Sequence, residues 1–326
     1  DGASPMLVDL IIDGNTCDAE VCYGTGLFVS GGDPVVLQVD ISNNSFDATD
    51  ESRGVGAFFE DGAADIQGMR VSGNTTTTSG GIYGGAVSLL DADNTSIRNL
   101  EITDNHIETS SRVNGGALYA YSTDGLSLTN LVIAGNTTTG NGVAGAGIYV
   151  NRGSAWLANA VVHGNESISS GEGYGAGILN TGTLTATNVS ITENLESGTG
   201  STTSSAGFSS FGTETLSHCN VYGNDIADWS GTTDPTGTNG NISVAADFVD
   251  VSSSDPLDWD LRLAASSALI DAGDTGLLDP DGTASDIGAW GGEGAADWGW
   301  AATIEELHGD VPLGQTVETT GVVTAL

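Results

Sequence analysis

Residues 71–87 read VSGNTTTTSGGIYGGAV: a short strand-like run closing on Asn74, a threonine tract, then small residues that end on the aliphatic Val87. The same arrangement returns 31 residues later as ITDNHIETSSRVNGGAL (102–118), and once more as LVIAGNTTTGNGVAGAGI (131–148). A recurrence of this kind is a statement about architecture before it is one about any single residue. Taking the closing Asn as a marker gives Asn15, Asn44, Asn74, Asn105, Asn136, Asn165, Asn194 and Asn224, at intervals of 29, 30, 31, 31, 29, 29 and 30 residues. The drift of one residue assigns variation to loops and constancy to strands.

Three residues before each marker stand Ile12, Ile41, Val71, Ile102, Ile133, Val162, Ile191 and Val221, and five before stand Leu10, Val39, Met69, Leu100, Leu131, Ala160, Val189 and Cys219. A spacing of two puts both columns on one face of a strand. A third column lies eight before the marker, with Val36, Ile66, Ile97 and Leu128 among its members. Its three-residue step to the next column demands a bend. The bend position carries Asn99, Asn130, Asn159 and Asn188 in successive repeats, and Asn accepts the left-handed backbone of a tight corner. Small pairs such as Gly85-Ala86 and Gly116-Ala117 precede a further column, Leu27, Phe58, Val87, Leu118, Ile148, Ile178 and Phe208. Three short strands per turn of about 30 residues describe an all-β chain, a parallel β-helix of about eight coils whose rungs stack ~4.8 Å apart. The threonine tract reads as an exposed loop. A propeller would need four-strand blades and hairpin turns, and neither pattern is present.

The 326 residues, 38% of them hydrophobic, suffice for one large core, and 49 Gly against 6 Pro suit many turns. Acidic residues number 43 and basic ones 6, all of them Arg, for a net charge of −37. Nucleic acid and anionic membrane are thereby disfavoured as partners. No apolar run reaches a bilayer-spanning 18 residues, so membrane insertion of this segment is not expected. The chain opens inside the repeat pattern, which suggests a piece of a longer multidomain protein.

Strands ending in x-x-Asn with a Gly-Gly-Ala-aliphatic step, here VSGN with GGAV and ITDN with GGAL, resemble the repeat of bacterial polymorphic outer membrane proteins. The resemblance covers residues 7–224. It departs from that repeat in carrying Val or Ile where Phe is usual, and Gly-Ala-Gly-Ile in later coils. It implies a right-handed parallel β-helix at the bacterial outer surface or exterior. Residues 255–292 resemble the closing segment of secreted bacterial β-helix proteins, and residues 303–326 resemble the start of an OB-like module. The domain reading is a β-helix over 1–250, a C-terminal cap over 251–296 that covers the last open coil, and a linker with the start of a following module over 297–326.

Cys17 and Cys22, five residues apart in the first loop, read as a disulfide suited to an oxidising exterior. Cys219 falls in a core column and reads as a buried thiol. The histidines share no column. Asp40, Arg70 and Glu101 occupy one outward position in successive coils and read as a surface charge ladder. Asp271, Asp274, Asp279, Asp281 and Asp286 crowd the closing segment as candidate Ca²⁺ ligands, because calcium prefers several close oxygens; turn formation is the competing role.

The outward face of the third strand is aromatic, with Phe28, Phe59, Tyr119, Tyr121 and Tyr149 as candidate residues for a surface glycan or an extracellular protein. A satellite core under the linking stretches is the competing role. This face offers one carboxylate, Asp61, with Arg152 nearby, whereas saccharide hydrolysis needs two carboxyl groups and elimination needs a base beside calcium-holding acids. The residues therefore favour a non-catalytic extracellular rod, adhesin-like or structural, with a polysaccharide-binding or polysaccharide-cleaving protein as the alternative.

Overall fold

The computed structural model describes residues 4–204 and 207–297. No α-helix occurs among them; two long parallel sheets, of 15 and 11 strands, stack coil upon coil. About seven turns wind between Met6 and Tyr222. The first strands of adjacent coils pair in the register of the repeat: Val36 with Ile66, Val39 with Met69, Ile41 with Val71, and each of these with its equivalent at 97, 100 and 102. All nine side chains are fully buried in one continuous core.

The bend between the first two columns is left-handed in every coil, at Asp9, Gln38, Gly68, Asn99, Asn130, Asn159, Asn188 and His218. A second left-handed residue precedes each marker, Gly in five coils and Asn43, Asp104 and Glu193 in the other three. Just past the second corner the marker asparagines form an internal ladder. The backbone N–H and Nδ2 of Asn74 both donate to Oδ1 of Asn105, at 3.1 and 2.9 Å. Asn105 donates in the same way to Asn136, and so along the rod to Asn224. Asp228 Oδ1 then accepts both donors of Asn224 and closes the ladder.

The threonine tract differs from expectation. Thr75–Thr78 is a strand of the 11-stranded sheet, with Thr76 and Thr78 buried and Thr75 and Thr77 exposed. Its inward column runs Cys17, Phe46, Thr76, Ile107, Thr138 and Ser167, so apolar and hydroxyl side chains share one interior position. Threonine suits it because a β-branched side chain packs on a pleated surface. The small cluster does let the chain turn close to its neighbours: a Cβ on Gly116 would lie 2.0 Å from Thr138 Oγ1 and 2.5 Å from the Ala146 carbonyl.

One register differs as well. Ala57, not Phe58, pairs with Leu27 and Val87, so Phe58 points outward beside Phe28 and Phe59 points into the core. Two adjacent phenylalanines look alike to a hydrophobic pattern, and a slip of one residue exchanges the two faces.

The closing segment covers the rod differently from a lid. What meets the open coil is the stretch before the closing segment: Ile242 bridges to Asn220, and Asn241 accepts from Cys219 N–H and donates to the Leu216 carbonyl, while Leu269 and Ile287 of the segment pack on Ile242, Val244 and Ala246. The chain then runs back along the side of the solenoid. Leu261 and Ala289, with Phe248, Trp259 and Trp290, pack on the outward residues Val132, Ala134 and Val161. Asn130 Nδ2 donates to the carbonyls of Ala289 and Gly291, and Asn188 Oδ1 accepts from Asp274 N–H. The segment is a lateral strap because the outward positions of the fifth and sixth coils are apolar, where the second to fourth carry Asp40, Arg70 and Glu101. Of the linker and module start expected over 297–326, residues 298–326 lie outside the described residues.

Candidate functional site: an aromatic cleft along the solenoid

The third strand does not present its outward face to open solvent. A wall formed by the column Tyr23, Arg53, Tyr83, Asn114, Ala144 and Tyr174 stands opposite the outward column Phe28, Phe58, Ser88, Tyr119, Tyr149 and Leu179. Tyr119 is buried to 1% exposure and Tyr149 to 8%, packed with Ala144 and Leu179. Of the candidates, Tyr119, Tyr121 and Tyr149 come together, with ring centroids 6.0 Å (Tyr119–Tyr121) and 5.3 Å (Tyr119–Tyr149) apart. Phe28 lies farther along the same face, 44% exposed and stacked on Phe58 at 5.2 Å. Phe59 is the correction: it is 2% exposed inside the rod and belongs to no surface.

Where the walls part, Glu51, Arg53, Tyr83, Asn114, Tyr119, Tyr121 and Asn151 line a cleft of about 330 Å³. The Arg53 guanidinium sits 4.6 Å from the Tyr83 ring centroid and 5.9 Å from that of Phe58, so it joins the two aromatic groups, and its Nη2 donates to Glu51 at 2.9 Å. Asn151 Nδ2 donates to the Tyr119 hydroxyl at 2.9 Å. Arg152 Nη1 donates to the Tyr121 hydroxyl at 2.7 Å, with its guanidinium 5.3 Å from the ring centroid. Burial pushes the Tyr119 phenol well above its ordinary value, so it stays a neutral hydroxyl. The sequence did not single out Tyr83 or Arg53, because they lie on the linking stretch; their common place in the register with Tyr23 was the available signal.

Asp61 does not join this group. It occupies a left-handed turn after its strand, as do Asp91, Ser122 and Arg152 in the next three coils. Three rungs separate Asp61 from Arg152, about 14 Å at ~4.8 Å per rung. Elsewhere the charge ladder forms as read, with Arg70 Nε donating to Glu101 Oε2 at 3.1 Å and Asp40 beside Arg70 in register. Burial raises the Asp40 carboxyl, and Arg70 opposes that rise.

Four of the five closing-segment aspartates accept hydrogen bonds as turn and backbone caps. Asp274 accepts from Gly276 N–H, Asp281 from Thr283 N–H and Oγ1, Asp279 from the N–H groups of Asp286 and Gly292, and Asp286 from Asp271 N–H. Asp271, Asp279 and Asp281 lie within range for their charges to act on Asp286, and among the described residues no group of three His, Cys, Asp or Glu side chains is arranged to hold a metal. Cys17 and Cys22 form the disulfide. Cys219 is buried, its thiol pushed up to about 12 by desolvation, and so is held as an unreactive thiol.

Parallel rungs paired in the register of the repeat, an internal asparagine ladder and one laterally strapped face define a parallel β-solenoid. A family model described as "Right handed beta helix region" matches residues 9–195, and the chain belongs to that family. No curated protein and no solved structure matches it. Among the described residues no helix is long and apolar enough to cross a membrane.

Proposed function

We propose that this solenoid is a non-catalytic extracellular rod that holds a saccharide in the tyrosine cleft. The observation that carries the reading is the cleft itself: rings of Tyr83 and Tyr121 half-exposed at its walls, with Asn114, Asn151, Arg53 and Glu51 between them. Aromatic faces stack on the apolar faces of sugar rings, and amide and charged groups bond their hydroxyls. Two features favour binding over cleavage. The one carboxylate lining the cleft, Glu51, is paired with Arg53, and Asp61 and Arg152 are rungs apart. The disulfide, the surface excess of acid and the likeness of the repeat to polymorphic outer membrane proteins support a setting at the bacterial exterior. Retention on immobilised polysaccharides, scored together with release of new reducing ends, tests the reading. Retention without new ends, reduced at least tenfold in Tyr121→Ala, is expected; new ends, or retention indifferent to Tyr121→Ala, would overturn it.

A further inference from the structure

The chain carries six basic side chains against a net charge of −37; two of the six stand at one cleft and a third lies in the depression beside it. Arg53 lines the cleft. Arg152 bonds the Tyr121 hydroxyl that lines it. Arg112 lines the neighbouring depression, on the same short strand, Arg112–Asn114, that brings Asn114 to the cleft. On a surface this acidic an anion meets long-range repulsion, so a local cluster of guanidinium groups is the one kind of place where it can be held. The opposing charges are Glu51, bonded to Arg53, and Glu172, which accepts from the Tyr174 hydroxyl and borders the depression that holds Arg112. A cleft for a neutral sugar would need rings and amides alone.

Arg53 is built for the task. Its side chain is 15% exposed, clamped between the Tyr83 and Phe58 rings, and its bond to Glu51 uses one of five guanidinium donors. Glu51 is 48% exposed and able to swing aside. Resting on the saccharide reading of the cleft, we infer that its ligand is an acidic saccharide, whose carboxylate or sulfate takes a fork of hydrogen bonds from Arg53 while an adjacent ring lies against Tyr121 and Tyr83. Arg152 then positions the Tyr121 ring and adds its charge at the rim. Charge-assisted forked bonds are about twice as strong as neutral ones, which makes the anion the discriminating feature.

Calorimetric titration of the full chain with uronate, sulfated and neutral oligosaccharides of equal length, and with a polyglutamate peptide, tests this. Binding of an acidic saccharide at least tenfold tighter than the neutral one, weakened tenfold or more by Arg53→Gln, partly restored by Arg53→Lys and strengthened by Glu51→Gln, is the expected result. The Glu51→Gln gain stands as a separate readout should Arg53→Gln perturb folding. Uronate and sulfate arms identify which anion is read. Equal binding of the neutral sugar, lost in Tyr121→Ala but indifferent to Arg53→Gln, would leave the saccharide reading and overturn the acidic one. Binding of polyglutamate as tightly as of any sugar, or of nothing at all, would overturn both.

Discussion

Asn105 receives two hydrogen bonds on Oδ1 from Asn74, and its Nδ2 donates to Asn136 Oδ1 and to the carbonyls of Val71 and Thr103. It is fully buried, so Asn105→Ala orphans donors above it and carbonyls beside it at once. We expect a loss of about 3 kcal/mol in chemical denaturation, the usual cost of a broken buried network. Asn105→Asp should cost no less at neutral pH, because it keeps the acceptor but sets a carboxylate against three oxygens. His163 is the other decisive residue. Its ring lies between Phe248 and Trp259, at 5.0 and 5.3 Å, with Nδ1 3.0 Å from Thr192 Oγ1. Burial lowers its pKa from 6.5 to about 4, with the Thr192 contact opposing. The unfolded chain therefore binds a proton that the folded one refuses between those values. Stability is fully present above pH 6.5 and falls as pH drops toward 4, by about 3 kcal/mol in all. Denaturation midpoints of the parent and His163→Gln across pH 4–7 check this; the variant should lose that part of the slope.

The elements show where pattern suffices and where it does not. Marker spacing and inward aliphatics make the first strand legible, because its periodicity of two is broken only at a corner with its own sidedness. The threonine tract was not legible as strand, since hydroxyls alternate inward and outward there with no contrast of hydrophobicity. The Phe58–Phe59 register was ambiguous for the opposite reason, both residues being apolar. The first loop shows a local device: Cys17 and Cys22 close a short ring at the exposed first coil, and Cys22 N–H donates to Ser52 Oγ. A ring this short restricts the unfolded chain modestly, so Cys17→Ser/Cys22→Ser should cost about 2 kcal/mol. Hydrogen exchange should rise in Thr16–Ala19 and Ser45–Ala48 while the Ser96–Thr103 strand stays protected.

For the molecule as a whole, the strap couples distant parts of the chain. Asn130 meets Gly291 across 161 residues of sequence, and Val132 and Val161 are covered by Leu261 and Trp259 from the far end. Val132→Asp buries a carboxylate under this strap without touching the inward columns. The expected outcome is release of the strap, seen as proteolysis within 251–260, with the repeat's circular dichroism retained; loss of both together would show that strap and rod fold as one unit. The rod itself followed from the sequence, because each coil meets only its neighbours and every rung repeats the same local chemistry: aliphatics two apart, a corner residue tolerant of the left-handed region, an Asn that bonds its own copy. Only the tertiary structure decided the rest. The strap lies along the side because Val132, Ala134 and Val161 are apolar at outward positions, and the cleft exists because Tyr83 and Arg53 stand opposite Tyr119 and Tyr121. The strap meets the rod from a segment that shares no period with it, and the cleft depends on which residues fill two facing columns of the repeat; a repeat encodes only what recurs.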